Sequence, residues 1–124
     1  MASILRVNTL TDASSNNSVP MATVASGSAK AWVNCNQATV DDSFNIASVT
    51  DSSAGRFVVN IANDMANTGY AISVCARIPS GNVGVAVEDN GVARAAGTTP
   101  VYILNAGSYY DSTDTQVIIH GDLA

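Results

Sequence analysis

The stretch SFNIASVTDSSAGRFVVNIA, residues 43–62, contains the strongest fold signal of the chain. On either side of its centre, apolar and polar residues alternate with a period of two, as they do in half-buried strands. The five residues between the two alternating segments, Asp51–Gly55, are rich in turn formers. The stretch therefore predicts a β-hairpin with a short loop. The residues that share one face of each strand are Phe44, Ile46 and Ser48, then Phe57, Val59 and Ile61.

Further strand patterns follow along the chain, separated by turn signals about every 8–12 residues, which is the spacing of an all-β sandwich or barrel. They are YAISVCARI at 70–78, VGVAVED at 83–89, VYIL at 101–104 and TQVIIHGDL at 115–123. No window supports an amphipathic helix, and IANDMANTG at 61–69 is only the nearest candidate. We therefore predict an all-β fold, a small antiparallel β-sandwich over residues 29–124.

The first 28 residues have a different character. A polar run, TDASSNNS at 11–18, precedes small residues around Pro20, and such a segment cannot build a core alone. We predict an extended N-terminal arm, residues 1–28, that docks on a partner; a disordered tail or an ordinary edge strand is the alternative. The arm residues best able to add a strand to a partner sheet are Ile4, Leu5, Val7 and Leu10.

Trp32 is the only tryptophan and lies in the strand pattern AKAWVNCN at 29–36. It shares a face with Lys30 and Asn34, which is the more polar side of its strand. This position indicates that its ring caps the sheet or packs against a neighbouring chain. A sheet that is buried on both faces, with Trp32 in the core, is the alternative. The opposite face carries Ala31, Val33 and Cys35.

The composition limits the partners that we expect. Charged residues make up 12% of the 124, about half the usual share of a soluble domain. This deficit indicates that partners cover the surface or that the protein works outside a cell, with ordinary variation as the plain alternative. The net charge is −5 and the five basic residues are scattered, so we expect no nucleic-acid partner.

No stretch approaches the length of a membrane span, so we expect no membrane insertion. The N-terminal MASILRVNTL lacks the basic region and long apolar run of a signal peptide, so a route out of the cell would be release by lysis. Cys35 and Cys75 are the only cysteines. They could form one disulfide or stay free, and their place within apolar alternation favours free, buried thiols. They are too few to form a zinc site on their own.

No catalytic constellation is found in the sequence. His120 is the only histidine and lies in the final strand pattern, where a structural role is commoner than that of a base. Asp41 and Asp42 are adjacent, and therefore cannot face each other across a substrate as paired glycosidase carboxylates do. We predict no enzyme activity, no cofactor and no metal site.

Tyr109, Tyr110 and Asp111 lie in a polar segment, NAGSYYDSTD at 105–114. Exposed aromatic rings beside carboxylates and amides can bind sugars or protein surfaces, so these three residues are a candidate receptor-contact loop. The alternative is that one tyrosine packs inward and the rest of the segment is a solvated loop.

Several short motifs recur in a fixed order from residue 29 to residue 74: AKAWVN at 29–34, DSFN at 42–45 and SVTD at 48–51. With Gly55, the strand at 59–61, Met65 and Tyr70, this order resembles a module of tail-fibre and related virion proteins of tailed bacteriophages. The opening SILRVNTLTDASSNNSVPM and the ending QVIIHGDLA are also similar to the leader and the final strand of that family.

The chain departs from the family pattern at three places. Cys35 replaces the usual aromatic residue, and Gln37 stands where a glycine is common, so we expect a different turn after residue 36. Residues 77–110 follow no family pattern.

The resemblance implies a virion component that is homotrimeric and is not an enzyme. It favours a fibre or spike element that contacts a host-surface glycan or protein and binds tail, portal-proximal or capsid-shell proteins. The expected location is the virion, assembled in the host cytoplasm and released by lysis. A capsid decoration or head-fibre protein is the alternative, favoured by the short chain. A secreted carbohydrate-binding module is a third hypothesis.

Overall fold

A computed structural model describes residues 3–15, 17–78 and 84–124 of the chain. These residues form eleven strands and one short helix. In chain order the elements are β1 Thr9–Thr11, β2 Ser18–Pro20, α1 Met21–Gly27, β3 Ala31–Cys35, β4 Val40–Phe44, β5 Ile46–Ser53, β6 Arg56–Ile61, β7 Ala71–Arg77, β8 Gly84–Glu88, β9 Thr98–Asn105, β10 Ser108–Tyr109 and β11 Asp114–His120.

Two antiparallel sheets make up the body of the protein, and the predicted all-β sandwich is confirmed. One sheet has four strands in the order β4-β3-β11-β7. The other has five strands: β6 pairs with β5 and β9, β8 also pairs with β9, and the short β10 pairs with the end of β9. A separate two-stranded ribbon, β1-β2, lies in the arm.

The core lies between the two sheets and is built from alternate residues of the central strands. Burial follows a period of two in β3, β6 and β11, so each of these strands directs one face inward. Two residues outside the strands, Met65 and Tyr70, complete the core. The buried apolar residues of the strands are Ala31, Val33, Cys35, Phe57, Val59, Ile61, Val101, Ile103, Val117 and Ile119.

Asn45 divides the stretch at residues 43–62 between the two sheets. We predicted that Phe44 and Ile46 share one face of one strand, and this is wrong, because Phe44 ends β4 and Ile46 begins β5 in the other sheet. The backbone of Asn45 has a φ of 56°, a left-handed conformation that asparagine tolerates better than most residues. Its side chain donates to the carbonyl of Lys30 (3.0 Å) and accepts from the backbone of Asn63 (2.8 Å), which holds the corner in place.

The predicted hairpin is confirmed as β5 and β6, but its loop is shorter than expected. Strand β5 continues to Ser53, and only Ala54 and Gly55 form the turn. Gly55 has a φ of 67°, and a Cβ there would lie 2.5 Å from the backbone nitrogen of Tyr110. Glycine is therefore required at this turn, both for its conformation and for the close approach of a neighbouring segment.

The remaining strand predictions are confirmed with shifted ends. The pattern at 70–78 forms β7, the pattern at 115–123 forms β11, and β9 begins three residues before its predicted start. The turn predicted at 79–82 and the start predicted at residue 83 lie outside the described residues. The segment IANDMANTG is not helical, and Met65 in it makes an isolated bridge with Leu123.

The arm is partly folded on itself. It contains the short strands β1 and β2, and a helix that we did not predict, α1, follows β2. Most residues of this helix are small, and none is buried. None of the described arm residues is buried, and α1 ends next to Lys30, whose ammonium group hydrogen-bonds the carbonyl of Ala25.

Candidate functional site

The outer side of the four-stranded sheet presents a row of large apolar side chains. Trp32 pairs with Phe44 on β4 and with Ile118 on β11, so the three residues lie side by side across three strands. Phe44 is 55% exposed and Ile118 is 40% exposed, while Trp32 is half-buried between them. We call this surface the tryptophan face. The alternative in which Trp32 is a core residue is wrong, because its inward neighbours Ala31 and Val33 occupy the core instead.

Polar residues border the tryptophan face on one side. The adjacent row runs from Asp42 through Asn34 and Gln116 to Cys75, and an Asp114–Arg77 pair follows it. The row that contains Trp32 has no charged residue, since it ends at Ser73 on β7. The face is thus apolar along the row that contains Trp32, and its charged residues lie outside that row.

The two cysteines lie on opposite sides of the same sheet. Cys35 is buried in the core as predicted, and burial raises the pKa of its thiol above the ordinary value. The prediction that Cys75 is buried is wrong, because β7 directs it outward beside Gln116. Both thiols are free in the structure.

The predicted receptor-contact loop meets the tip of the β5–β6 hairpin. Tyr109 ends β10 and is 49% exposed, whereas Tyr110 is half-buried and its backbone nitrogen donates to the carbonyl of Ile103 (3.1 Å). The carboxylate of Asp111 accepts from the backbone nitrogen of Gly55 (2.6 Å). Tyr109 and Asp111 are therefore exposed while Tyr110 is half-buried, and Asp111 also joins this segment to the hairpin turn through Gly55.

Gln37 contacts the segment that follows Tyr110 and helps to hold Asp111 in place. It is buried and has a φ of 77°, the backbone region that favours glycine, at the position where the sequence pattern led us to expect a different turn. With its amide oriented to satisfy both groups, Gln37 donates to the carboxylate of Asp111 (3.2 Å) and accepts from the backbone nitrogen of Ser112 (2.7 Å). These contacts offset the cost of the unusual backbone conformation.

A cleft of about 350 Å³ lies on the outer side of the five-stranded sheet, next to Tyr109. An ion pair spans it: the guanidinium of Arg56 contacts the carboxylate of Asp89 through Nη2 (2.5 Å) and Nε (2.8 Å). Asp89 is buried and also accepts from the backbone nitrogen of Gly91 (2.9 Å). The hydrogen bond to Asp89 raises the pKa of Arg56. We call this site the Arg56 cleft; its lining includes Ser52, Ser53, Arg56, Val58, Asp89 and Val92.

Two tyrosine rings lie beside Arg56, one of the residues that line the cleft. The guanidinium carbon of Arg56 lies 5.2 Å from the centroid of the Tyr109 ring, within the range of a cation–π contact. Tyr102 meets Tyr109 edge to face, with ring centroids 5.8 Å apart and an interplanar angle of 85°. Tyr109 is thus held by two neighbours while nearly half of its surface stays open.

A second ion pair has a structural role. Arg94 contacts Glu88, covers the ring of Tyr70 at 4.8 Å and donates to the carbonyl of Tyr70 (2.5 Å). The hydroxyl of Tyr70 in turn hydrogen-bonds the carbonyl of Thr98 (2.8 Å) and the hydroxyl of Thr99 (2.9 Å). This network fastens the segment before β7 to the start of β9.

The arm residues that we predicted to dock on a partner are all exposed. Ile4 and Leu5 are 76% and 79% exposed, and both precede the first strand of the arm. Val7 also precedes β1, and Leu10 lies within it opposite Val19. Four large apolar side chains within seven residues thus face solvent in the isolated chain.

The residues considered for catalysis or metal binding lie apart. His120 is half-buried at the end of β11, opposite Ala71, and Asp41 and Asp42 lie on the exposed edge strand β4. Within the described part of the chain, no three His, Cys, Asp or Glu side chains are grouped so that they could hold a metal ion. Among those same residues, no helix is long and apolar enough to cross a membrane.

No protein-family model, curated protein or solved structure matches this chain.

The sequence reasoning missed the partnership of Arg56 and Asp89. Their separation of 33 residues hides it, because the start of β6 and the end of β8 come close only through the pairing of both strands with β9. A usable signal was present: both residues flank strand patterns, and Asp89 opens the DNG turn at 89–91. Aspartate at such a turn commonly bonds the backbone two residues on, as it does here with Gly91.

Proposed function

We propose that this protein is a structural component of a tailed-bacteriophage virion, a fibre or spike element that forms a homotrimer and takes part in attachment to the host surface. The observation that carries the proposal is the exposed apolar surface of the arm, which a free monomer would leave in water. The order of the AKAWVN, DSFN and SVTD motifs, which resembles virion proteins, supports the same assignment.

The arm is the element that we assign to other virion proteins. Covering side chains as exposed as Ile4 and Leu5 is favourable at roughly 25 cal/mol per Å² of apolar surface removed from water. An extended backbone can at the same time add a strand to a partner sheet, with alternate side chains fitting pockets on that partner. The segment before β1 carries exposed apolar side chains, and the backbone of β1 itself is extended.

The tryptophan face is the surface that we assign to a neighbouring copy of the chain. Its central row contains no charge, so an identical copy meets no like-charge repulsion there. Aromatic side chains such as Trp32 and Phe44 are typical of the anchors that dominate interfaces. In a cyclic trimer the same contact is made three times, so a modest interface gains from repetition.

Substitutions in the full-length chain test the arm. Val7→Asp and Leu10→Asp place a carboxylate on exposed positions, so the domain keeps its melting temperature while incorporation into particles falls at least tenfold. Val24→Asp is the matched control, because Val24 is an equally exposed arm residue that lies in α1, outside the proposed strand. Normal incorporation of both strand variants would overturn the docking role of the arm.

Cross-linking within assembled particles separates the fibre from the capsid decoration hypothesis. Cross-links from the arm to tail or portal-proximal proteins support the fibre or spike assignment. Cross-links to shell proteins would replace it with a decoration or head-fibre role.

A further inference from the structure

We propose that the Arg56 cleft, together with the ring of Tyr109 that contacts Arg56, binds a neutral saccharide. The biological purpose of this binding, recognition of the host surface, rests on the proposed attachment function. The binding itself is a property of the single chain and is measured without any particle.

The size and lining of the cleft suit a small polar ligand. Its volume of about 350 Å³ is at the lower end of the range for ligand pockets. Ser52 and Ser53 contribute hydroxyl groups, while Val58 and Val92 contribute apolar surface. A mixed lining of this kind matches a sugar ring, which has hydroxyls at its edge and C–H groups on its faces.

The charges of the cleft cancel. Arg56 and Asp89 are paired within 2.5 Å, so the site has no net charge. A bound anion would lie close to the carboxylate of Asp89, and a bound cation would lie close to the guanidinium of Arg56. A neutral ligand with hydroxyl groups avoids both penalties and can accept a hydrogen bond from Arg56 Nη1, which takes no part in the two contacts with Asp89.

Tyr109 supplies the stacking surface. Its ring is nearly half exposed, and Tyr102 and Arg56 hold its orientation from two directions. An aromatic ring with only two rotatable side-chain bonds gives a large contact area at a low cost in conformational entropy. Stacking of the ring on the C–H face of a sugar is therefore the contact that we expect to dominate affinity.

The polar part of the cleft is ordered before any ligand binds. Asp89 accepts from the backbone of Gly91, and its own backbone nitrogen donates to the carbonyl of Pro100 (3.0 Å). Arg56 is fixed by Asp89 on one side and by Tyr109 on the other. A site that is already ordered loses little freedom on binding, which favours affinity for a ligand as small as one or two sugar rings.

The test begins with the full-length protein on an array of neutral hexose and N-acetylhexosamine oligosaccharides and of uronic-acid oligosaccharides. We expect binding to at least one neutral oligosaccharide and weaker binding to the acidic ones. In nuclear magnetic resonance titrations with that oligosaccharide, the backbone signals of Ser52, Val92 and Tyr109 should shift.

Variants then locate the site by calorimetry, with affinity counted per chain. Tyr109→Ser should weaken the binding at least tenfold, and Tyr109→Phe, which keeps the ring, should stay within threefold. Phe44→Ser is the matched control, because it removes an exposed aromatic side chain from the opposite face of the sandwich and should leave affinity unchanged. Val92→Asp, at an exposed position in the cleft, should weaken binding as well and serves if Tyr109→Ser does not fold.

Three results would overturn the inference: no neutral oligosaccharide bound at millimolar concentration, stronger binding of the acidic ones, or affinity that is unchanged in both Tyr109→Ser and Val92→Asp. None of these results bears on incorporation into particles. Conversely, a chain that fails to enter particles can still bind the saccharide. Failure of the proposed function is therefore distinguishable from failure of this inference.

Discussion

The two outer faces of the sandwich enclose one core but present different chemistry. On the tryptophan face, Trp32, Phe44 and Ile118 form an uncharged row with no side chain available to orient a small molecule. On the other face, Arg56 and the buried Asp89 form an ion pair that lines a cleft. A flat apolar row suits a large partner, whereas a concave site with placed polar groups suits a small one.

The difference also appears in how each face is built. The tryptophan face follows from strand alternation alone, since alternate residues of a regular strand, here 30, 32 and 34, point away from the core of the sandwich. The Arg56 cleft depends on irregular backbone, namely the Ala54-Gly55 turn and the DNG turn at 89–91. Changes to turns should therefore damage the cleft face first and leave the tryptophan face intact.

The largest expected effect on stability comes from Gly55→Ala. The left-handed φ of 67° costs an alanine about 1–2 kcal/mol, and the added Cβ would lie 2.5 Å from the backbone nitrogen of Tyr110. We expect the free energy of unfolding to fall by about 3 kcal/mol in chemical denaturation. The matched control is Gly107→Ala, at a φ of 85° but with open space around it, which should cost only the conformational part. Equal losses in the two variants would contradict the close contact at the hairpin tip.

A smaller effect is expected at the corner that joins the two sheets. Asn45→Ala removes the hydrogen bonds to Lys30 and Asn63 and places an alanine at a φ of 56°. We expect a loss of about 2 kcal/mol, of the order of one or two hydrogen bonds together with the backbone strain. Asn45→Gly, which relieves the strain alone, should be less harmful than Asn45→Ala. The reverse order would show that the corner is not held as described.

The smallest effects separate the inner and outer sides of the four-stranded sheet. Cys35→Ser should cost about 1–2 kcal/mol, because it buries a hydroxyl in the apolar core, whereas Cys75→Ser should cost less than about 0.5 kcal/mol. In the native protein, a thiol reagent should modify Cys75 quickly and Cys35 only on unfolding. Rapid modification of both thiols would contradict the burial of Cys35.

The raised pKa of Cys35 gives the direction of a pH effect. Burial favours the neutral thiol, so its contribution to stability is complete below the ordinary thiol pKa and is lost as the pH rises from there through the raised pKa of the folded protein. We expect the alkaline loss of stability to be smaller in Cys35→Ala than in the unmodified protein. Identical pH profiles, measured by chemical denaturation from pH 7 to pH 10, would contradict this.

Local alternation predicted the sandwich and most of its strands. The period of two at 56–62, 70–78 and 115–123 is imposed by one-sided burial, so the inward and outward faces follow directly from the residues. It failed at Asn45, because a single residue in a left-handed conformation moved Phe44 to the other sheet without disturbing the alternation. It also failed at Cys75, since its small side chain suits either face of β7.

Some features of the candidate sites could be predicted from the sequence and others could not, because only some of them depend on neighbouring residues alone. The outward position of Trp32 and the exposure of Tyr109 are local properties, and both could be inferred from neighbouring residues. The pairing of Arg56 with Asp89 and the support of Asp111 by Gln37 depend on long-range strand order. Short helices such as α1, filled with small residues, have no apolar stripe by which to be recognised.

We propose that the tryptophan face is covered by identical copies while the Arg56 cleft stays open. Native mass spectrometry of the full-length chain at micromolar concentration, for the unmodified protein, Phe44→Asp and Tyr109→Ser, tests it most directly. With a chain mass of 12.7 kDa, we predict a species of three chains for the unmodified protein and for Tyr109→Ser, and a monomer for Phe44→Asp. A monomer for the unmodified protein, or a trimer that survives Phe44→Asp but is lost in Tyr109→Ser, would contradict the account.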